Sequence, residues 1–181
     1  MNLPNKLTIA RMIAVPFFVA AYMLGPKNVW FYLVALIIFI AASLTDMLDG
    51  KIARARGLVT NFGKIMDPLA DKILVYSAFC LMVWDGTVAG WMLILILARE
   101  FAVSGMRTVA ASEGIVIAAG MSGKIKTVLQ MFAVPVLILA LAVPSVPVIM
   151  TIGQVLLWAS LVMTVYSGAE YIIKNKEVFR Q

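Results

Sequence analysis

The sequence predicts an all-α polytopic membrane protein: six transmembrane helices with a cytoplasm-facing polar crevice. Three observations carry that expectation. Hydrophobic residues make up 63% of the 181 residues and the mean hydropathy is +1.00, too apolar for a soluble domain. Apolar runs of the ~20 residues that a ~30 Å hydrocarbon core demands of a helix recur along the chain. Turn and breaker residues separate them, at Gly25-Pro26-Lys27-Asn28, Arg56-Gly57-Leu58-Val59, Asp85-Gly86-Thr87, Ser112-Glu113-Gly114 and Pro144-Ser145-Val146-Pro147.

The helices are expected at 8–25, 30–55, 62–84, 88–112, 122–142 and 148–173. The first has a basic start and an apolar run like a signal peptide. The run continues to Leu24 without a convincing small-residue cleavage site, so it reads as a retained helix. The second ends in Asp46 and Asp49 and the third opens with Asp67 and Asp71, where Pro68 either kinks the helix or marks its first turn with Asp67 as a cap. Cys80, the only cysteine, falls in the third run; no intrachain disulfide is possible and a buried structural thiol is expected. The fourth holds Arg99, Glu100 and Arg107, and the fifth opens with Ser122-Gly123-Lys124. Trp30, Trp84 and Trp91 fall near helix ends and read as interface anchors. No internal repeat interrupts the pattern, so residues 1–181 form one membrane domain.

The cations orient the chain. With alternating helices, Lys6, Arg11, Lys51, Arg54, Arg56, Lys64, Lys72, Arg99, Arg107, Lys124, Lys126, Lys174, Lys176 and Arg180 lie toward one side and Lys27 alone lies opposite. By the positive-inside rule both termini are cytoplasmic. The net charge of +6 follows from that asymmetry and from contact with anionic headgroups of the bilayer lipids, with a share left for an anionic substrate; no nucleic-acid partner is expected. There is no histidine. Imidazole ligands, Ser-His-Asp catalysis and phosphohistidine intermediates are therefore excluded, and chemistry must run on carboxylates, bases or metals.

Four carboxylates beside apolar stretches need compensation, because an acid at a helix centre in the bilayer costs about 2.5–3.5 kcal/mol on the insertion scale. Asp46 and Asp49 are spaced i, i+3, and Asp67 and Asp71 i, i+4, so each pair shares a helix face. Consecutive helices joined by a short loop are antiparallel neighbours, which lets the pairs face each other. Asp46 stands fifteen residues after Phe31, about 23 Å along a helix, near the cytoplasmic end. Oxygen ligands alone suit Mg²⁺, Mn²⁺ or Ca²⁺, and a site shared by two ions best accounts for so much negative charge. Two such ions about 3.5–4 Å apart clamp the oxygens of a phosphoryl transfer. Gly50 lets a ligand approach the backbone, and Arg54 is placed to pair with an acid or a diphosphate.

The string Asp46-x2-Asp49-Gly50-x2-Ala53-Arg54-x8-Gly63-x3-Asp67-x3-Asp71 resembles the complete signature of the CDP-alcohol phosphatidyltransferase family, eight defined positions over 26 residues. The resemblance implies a homodimeric membrane enzyme that moves a phosphatidyl group from CDP-diacylglycerol to an alcohol and releases CMP at a two-metal site of Mg²⁺ or Mn²⁺. It implies Asp46, Asp49 and Asp67 as metal ligands, and Asp71 as ligand and catalytic base. Asn5, Thr8, Gly50, Ala53, Arg54 and Gly63 are where the CDP-diacylglycerol is expected to rest. A metal-dependent prenyltransferase or a divalent-cation transporter would also use clustered aspartates, but the prenyltransferase has no role for the Gly50, Ala53, Arg54 and Gly63 framework.

The signature leaves the acceptor open, and the cations narrow it. A membrane-embedded Arg is costly unless it lines a polar cavity, and a helix start favours an anion. Arg99, Arg107 and Lys124 thus suggest a second phosphate pocket, with Lys126 as an alternative to Lys124. Arg99 and Glu100, being adjacent, are expected to point apart and need separate partners. Arg99-Glu100-Phe101, Ser104-Gly105-x-Arg107, Gly123-Lys124-x-Lys126-Thr127-x2-Gln130, Asp67-Pro68-Leu69-Ala70-Asp71-Lys72 and Pro4-Asn5-x-Leu7-Thr8-x2-Arg11 resemble the bacterial branch of the family whose acceptor is sn-glycerol 3-phosphate. That branch implies an enzyme of the bacterial inner membrane. Inositol phosphate, serine or phosphatidylglycerol are the competing acceptors.

Overall fold

The computed structural model describes residues 3–56, 61–112, 114, 117–118 and 120–175, with side chains at all of these except 3–6, 46–56, 61–65, 67, 68 and 71. The described residues form six α-helices and no strand: α1 (Leu3–Leu24), α2 (Trp30–Arg56), α3 (Asn61–Trp84), α4 (Gly90–Ser112), α5 (Met121–Ala142) and α6 (Pro147–Lys174). Their ends fall at the breakers. α6 starts on Pro147, whose fixed φ and missing N–H suit a first helical position. The α3–α4 turn passes through Gly86 at φ +81°, a left-handed conformation that a side chain disfavours. One expectation is corrected: α3 begins at Asn61, so Pro68 does not mark its first turn and Asp67 does not cap it.

α1 packs on α2 and α3, α5 lies along α6, α2 reaches α5, and α4 packs on α6. Phe18, Tyr22, Phe39, Phe79, Met82, Ile96, Leu137, Ile138 and Leu157 fill the centre. Where lipid replaces water, helices gain by close packing more than by exclusion of apolar surface. Gly153 shows this: a Cβ there would lie 2.6 Å from Leu137 Cδ2 and 3.3 Å from the Leu137 backbone nitrogen, so α6 meets α5 only because that position is bare. At the end of the bundle formed by the α3–α4 turn, Tyr22 donates to Asp85 Oδ2 at 2.6 Å, the Thr87 N–H to Asp85 Oδ1 at 2.9 Å and Gln154 Nε2 to the Thr87 carbonyl at 2.8 Å. Three parts of the chain are tied there.

Among the described residues many large apolar side chains face outward. Phe17, Ile37, Ile94, Phe101, Phe132 and Val162 point outward from α1, α2, α4, α5 and α6. Among the described residues three helices are long and apolar enough to cross a membrane: α1 over Leu7–Leu24, α5 and α6. Shorter apolar stretches cover Trp30–Thr45 and Lys72–Trp84, on the carboxylate-bearing helices. Trp30, Trp84 and Trp91 stand exposed at helix ends, as expected of interface anchors.

Two residues depart from their expected places. Cys80 is exposed, because the buried stripe of α3 runs through Leu74, Val75, Ala78, Phe79 and Met82 and leaves it on the outer face. Arg11 is only 2% exposed, inside the bundle rather than a charge at its rim.

Candidate active site

Asp46 and Asp49 lie in the second half of α2, and Asp67 and Asp71 in the first half of α3. Both segments are helical throughout, so the i, i+3 and i, i+4 spacings apply as read from the sequence. The side chains of Asp46, Asp49, Gly50, Ala53, Arg54, Gly63, Asp67 and Asp71, and that of Asn5, lie outside the described residues. Thr8, the remaining member of the expected donor site, is fully buried on α1. Oxygen is the only donor type these acids offer, and no imidazole exists in the chain to compete. That chemistry fits a hard divalent cation.

Next along α3, Lys72 leads into a charge cluster that joins three helices. Lys72 Nζ lies 3.5 Å from Glu100 Oε2 and donates to Ser104 Oγ at 3.0 Å. Arg99 Nη1 donates to Glu100 Oε1 at 2.8 Å, and Lys126 of α5 pairs with the same oxygen. One carboxylate thus serves three cations. The expectation that Arg99 and Glu100 point apart is corrected: the long guanidinium stem folds back across its neighbour, which adjacency of Cβ directions does not forbid. Lys126 is 3% exposed, so it belongs to this network and is far less accessible than Lys124, which is exposed. A carboxylate buried among cations is compensated, and removing one member of such a buried pair costs about 3–5 kcal/mol.

Arg99 sits against bare backbone on two further sides. A Cβ on Gly168 of α6 would lie 3.0 Å from Arg99 Cγ, and one on Gly123 of α5 would lie 3.1 Å from Arg99 Nη2. Its Nε is buried and has no hydrogen-bond partner among the described residues. Two turns on, Arg107 Nε donates to the Tyr171 hydroxyl at 3.3 Å, with its guanidinium carbon 5.9 Å from the ring centroid. Gly168 and Tyr171 stand three apart on α6, so one face of α6 receives both arginines. Beside them Ser122 donates to Glu170 Oε2 at 2.5 Å, and Lys174 Nζ to Glu170 Oε1 at 2.5 Å.

The structure therefore brings Arg99 to the first turn of α5, where Lys124 also lies, and gives Arg107 and Arg99 a common wall on α6. It shows no direct contact between Lys124 and either arginine among the described residues. Glu100 as a hub, the burial of Lys126 and the wall of Gly168 and Tyr171 were missed by sequence reasoning. A signal existed for the first: a glutamate inside an apolar run with an arginine beside it and lysines on neighbouring helices demands a shared partner. Nothing in sequence spacing marks Gly168, whose role depends on where α4 crosses α6.

Comparison with known proteins adds to this geometry. The sequence model of a family described as CDP-alcohol phosphatidyltransferase matches residues 1–166. A Bacillus subtilis (strain 168) protein named CDP-diacylglycerol–glycerol-3-phosphate 3-phosphatidyltransferase is 44% identical, the match covering 99% of this chain and 97% of that protein. A Rickettsia felis protein of the same name is 37% identical over 98% of this chain and 97% of its own length. A Mycobacterium tuberculosis protein named "Probable phosphatidylglycerophosphate synthase" is 36% identical over 96% of this chain and 81% of its own.

Proposed function

The chain belongs to the CDP-alcohol phosphatidyltransferase family, and from that premise we propose that it transfers the phosphatidyl group of CDP-diacylglycerol to sn-glycerol 3-phosphate, giving phosphatidylglycerophosphate and CMP. The observation that supports an anionic acceptor is the orphaned Nε of Arg99, a buried cationic donor with no partner among the described residues, set against Gly123 of α5 and Gly168 of α6, the helix whose Tyr171 also receives Arg107. An acceptor bearing its own phosphate accounts for that donor. The full-length similarity to relatives named for this reaction supports the same choice.

In this reading Asp71 accepts the proton of the glycerol 1-hydroxyl as its oxygen attacks the diacylglycerol-linked phosphorus in line. A new P–O bond forms there, and the P–O bond to CMP breaks, the electron pair leaving with CMP. Two divalent ions, Mg²⁺ or Mn²⁺, held by Asp46, Asp49, Asp67 and Asp71, would supply charge neutralisation to the diphosphate. Arg54 pairs with the diphosphate. Asn5, Thr8, Gly50, Ala53 and Gly63 receive the cytidine side, partly through backbone. Arg99, Arg107 and Lys124 hold the acceptor's phosphate so that its hydroxyl is oriented for attack, the kind of positioning that substitutes for a large part of the entropic barrier.

Residues 1–181 then form one domain of six membrane-crossing helices. Both termini and a polar crevice face the cytoplasm across a bacterial inner membrane, and two copies form a homodimer. The apolar outer faces of α2 and α4 and the apolar stretch Lys72–Trp84 of α3, in addition to the three long apolar helices, support six crossings. Charges in the middle of α4 are compatible with a crossing because Arg99 and Glu100 pair with each other and Lys126 of α5 adds to the same internal network. The test is purified protein in lipid nanodiscs given CDP-diacylglycerol with glycerol 3-phosphate, inositol phosphate, serine or phosphatidylglycerol. CMP release driven by glycerol 3-phosphate alone is expected. Release with a different acceptor and none with glycerol 3-phosphate overturns the reading, and cation flux in liposomes without any CMP release would point instead to a transporter.

A further inference from the structure

We infer that Gly168 and Glu100 are positioning residues of the acceptor site, which together with Gly123 seat Arg99 so that the Nε–Nη2 edge of its guanidinium is presented to the acceptor's phosphate. The inference rests on the proposed use of glycerol 3-phosphate.

A guanidinium offers two edges for bidentate recognition of an oxyanion, and which edge is offered depends on what holds the other. In Arg99, Glu100 Oε1 takes Nη1 at 2.8 Å. On the edge formed by Nε and Nη2, Nε is buried and has no hydrogen-bond partner among the described residues. A buried cationic N–H without an acceptor is costly, so the arrangement makes physical sense with an anion in place. Two glycines on two other helices keep that edge where it is. Gly168 lies under the root of the side chain: a Cβ there would lie 3.0 Å from Arg99 Cγ, an atom that moves away only by rotation about χ1, which carries the whole guanidinium with it. Gly123 lies beside the tip, 3.1 Å from Nη2, at the opening turn of α5. A side chain at either position would push the guanidinium off its line or fill the space the phosphate needs. Glu100 in turn is braced by Lys126 and Lys72, so the cation that binds and the carboxylate that aims it are locked to α3, α4 and α5, with α6 as the floor.

Steady-state kinetics in nanodiscs tests this. Gly168→Ala is expected to raise KM for glycerol 3-phosphate about tenfold while KM for CDP-diacylglycerol stays within about twofold, the signature of lost binding at one substrate's site. Gly123→Ala, which meets the flexible tip, is expected to raise the same KM about threefold. In an Arg99→Ala background, where no Cγ remains to be displaced, Gly168→Ala is expected to have no further effect, a non-additivity that general damage to packing would not produce. Gly153→Ala on the same helix supplies the contrast: it strikes Leu137 and is expected to lower thermal stability with no selective change in the glycerol 3-phosphate KM. If Gly168→Ala does not accumulate, Gly123→Ala with its own Arg99→Ala cycle decides. The inference is overturned if wild-type enzyme responds to glycerol 3-phosphate and the glycine variants leave that KM unchanged, or change both KM values alike and additively with Arg99→Ala. A wild type that ignores glycerol 3-phosphate overturns the functional reading itself, and the inference falls with it.

Discussion

Glu100 of α4 and Lys126 of α5 form an ion pair in the interior of the bundle. The carboxylate has two further cations, Arg99 on its own helix and Lys72 on α3, whereas Lys126 has Glu100 as its hydrogen-bonded acceptor. The dependence is therefore unequal.

That inequality predicts an order of stability. Glu100→Ala leaves Lys126 buried without its acceptor and is expected to cost about 3–5 kcal/mol. Lys126→Met leaves Glu100 two cations and replaces an ammonium by an apolar chain of similar length, so its loss is expected to be no more than about half as large. Thermal unfolding of the purified variants in one detergent checks the ranking, and a Lys126→Met variant less stable than Glu100→Ala would contradict it.

Asp71→Asn should separate proton transfer from metal retention. The amide cannot accept the hydroxyl proton, and loss of a general base costs about 10²–10⁴ in rate. CMP release is expected to fall by that factor while Mn²⁺ binding, followed by electron paramagnetic resonance, persists through Asp46, Asp49 and Asp67. Near-normal turnover with intact metal binding would remove Asp71 from the role of base.

Chelation should silence the enzyme reversibly. With oxygen donors only, a hard divalent ion binds without a covalent or redox anchor, so excess chelator is expected to abolish CMP release and added Mg²⁺ or Mn²⁺ to restore it. Activity that survives exhaustive chelation would exclude metal assistance.

Tyr171 offers Arg107 both a hydroxyl and a ring. Tyr171→Phe keeps the ring face and loses a hydrogen bond to a charged group that, at 3.3 Å, is long and falls at the low end of the range for such bonds, about 1.5 kcal/mol. The glycerol 3-phosphate KM is then expected to rise no more than about tenfold, and Tyr171→Leu, which removes the ring as well, to raise it further. Equal KM values in the two variants would show that the ring contributes nothing.

At the opposite end of the bundle, Tyr22→Phe removes the 2.6 Å hydrogen bond to Asp85 and leaves the aromatic packing in place. A hydrogen bond to a charged acceptor contributes about 1.5–3 kcal/mol, so the melting temperature is expected to fall. Both KM values are expected to stay unchanged, because this bond ties α1 to the α3–α4 turn and lies outside the proposed acceptor and metal sites. A selective shift in either KM would mean that the two ends are coupled.

Much of this protein was legible without coordinates, for identifiable reasons. A ~30 Å hydrocarbon layer imposes one length on every crossing element, so helix positions follow from apolar runs and breakers, and the six helices fall close to the expected bounds. The carboxylates at Asp46, Asp49, Asp67 and Asp71 fall on two helices, so their i, i+3 and i, i+4 spacings stand as read, and Arg99 and Arg107 are visible as charges in an apolar run. What failed did so where local reading meets a third dimension. Cys80 lies in an apolar stretch but off the buried stripe, and Arg11 is near the chain start yet inside the bundle.

The sequence by itself determined the helical class, the family and the identity of the acids and cations, because hydropathy, breaker residues and motif spacing are properties of one strand of chain. Only the tertiary structure decided that Glu100 gathers Lys72, Arg99 and Lys126, that Lys126 is buried while Lys124 is exposed, and that Gly168 lies beneath Arg99. Those facts depend on how α3, α4, α5 and α6 cross and rotate against one another. That is settled by side-chain packing summed over whole helices, which no local pattern encodes.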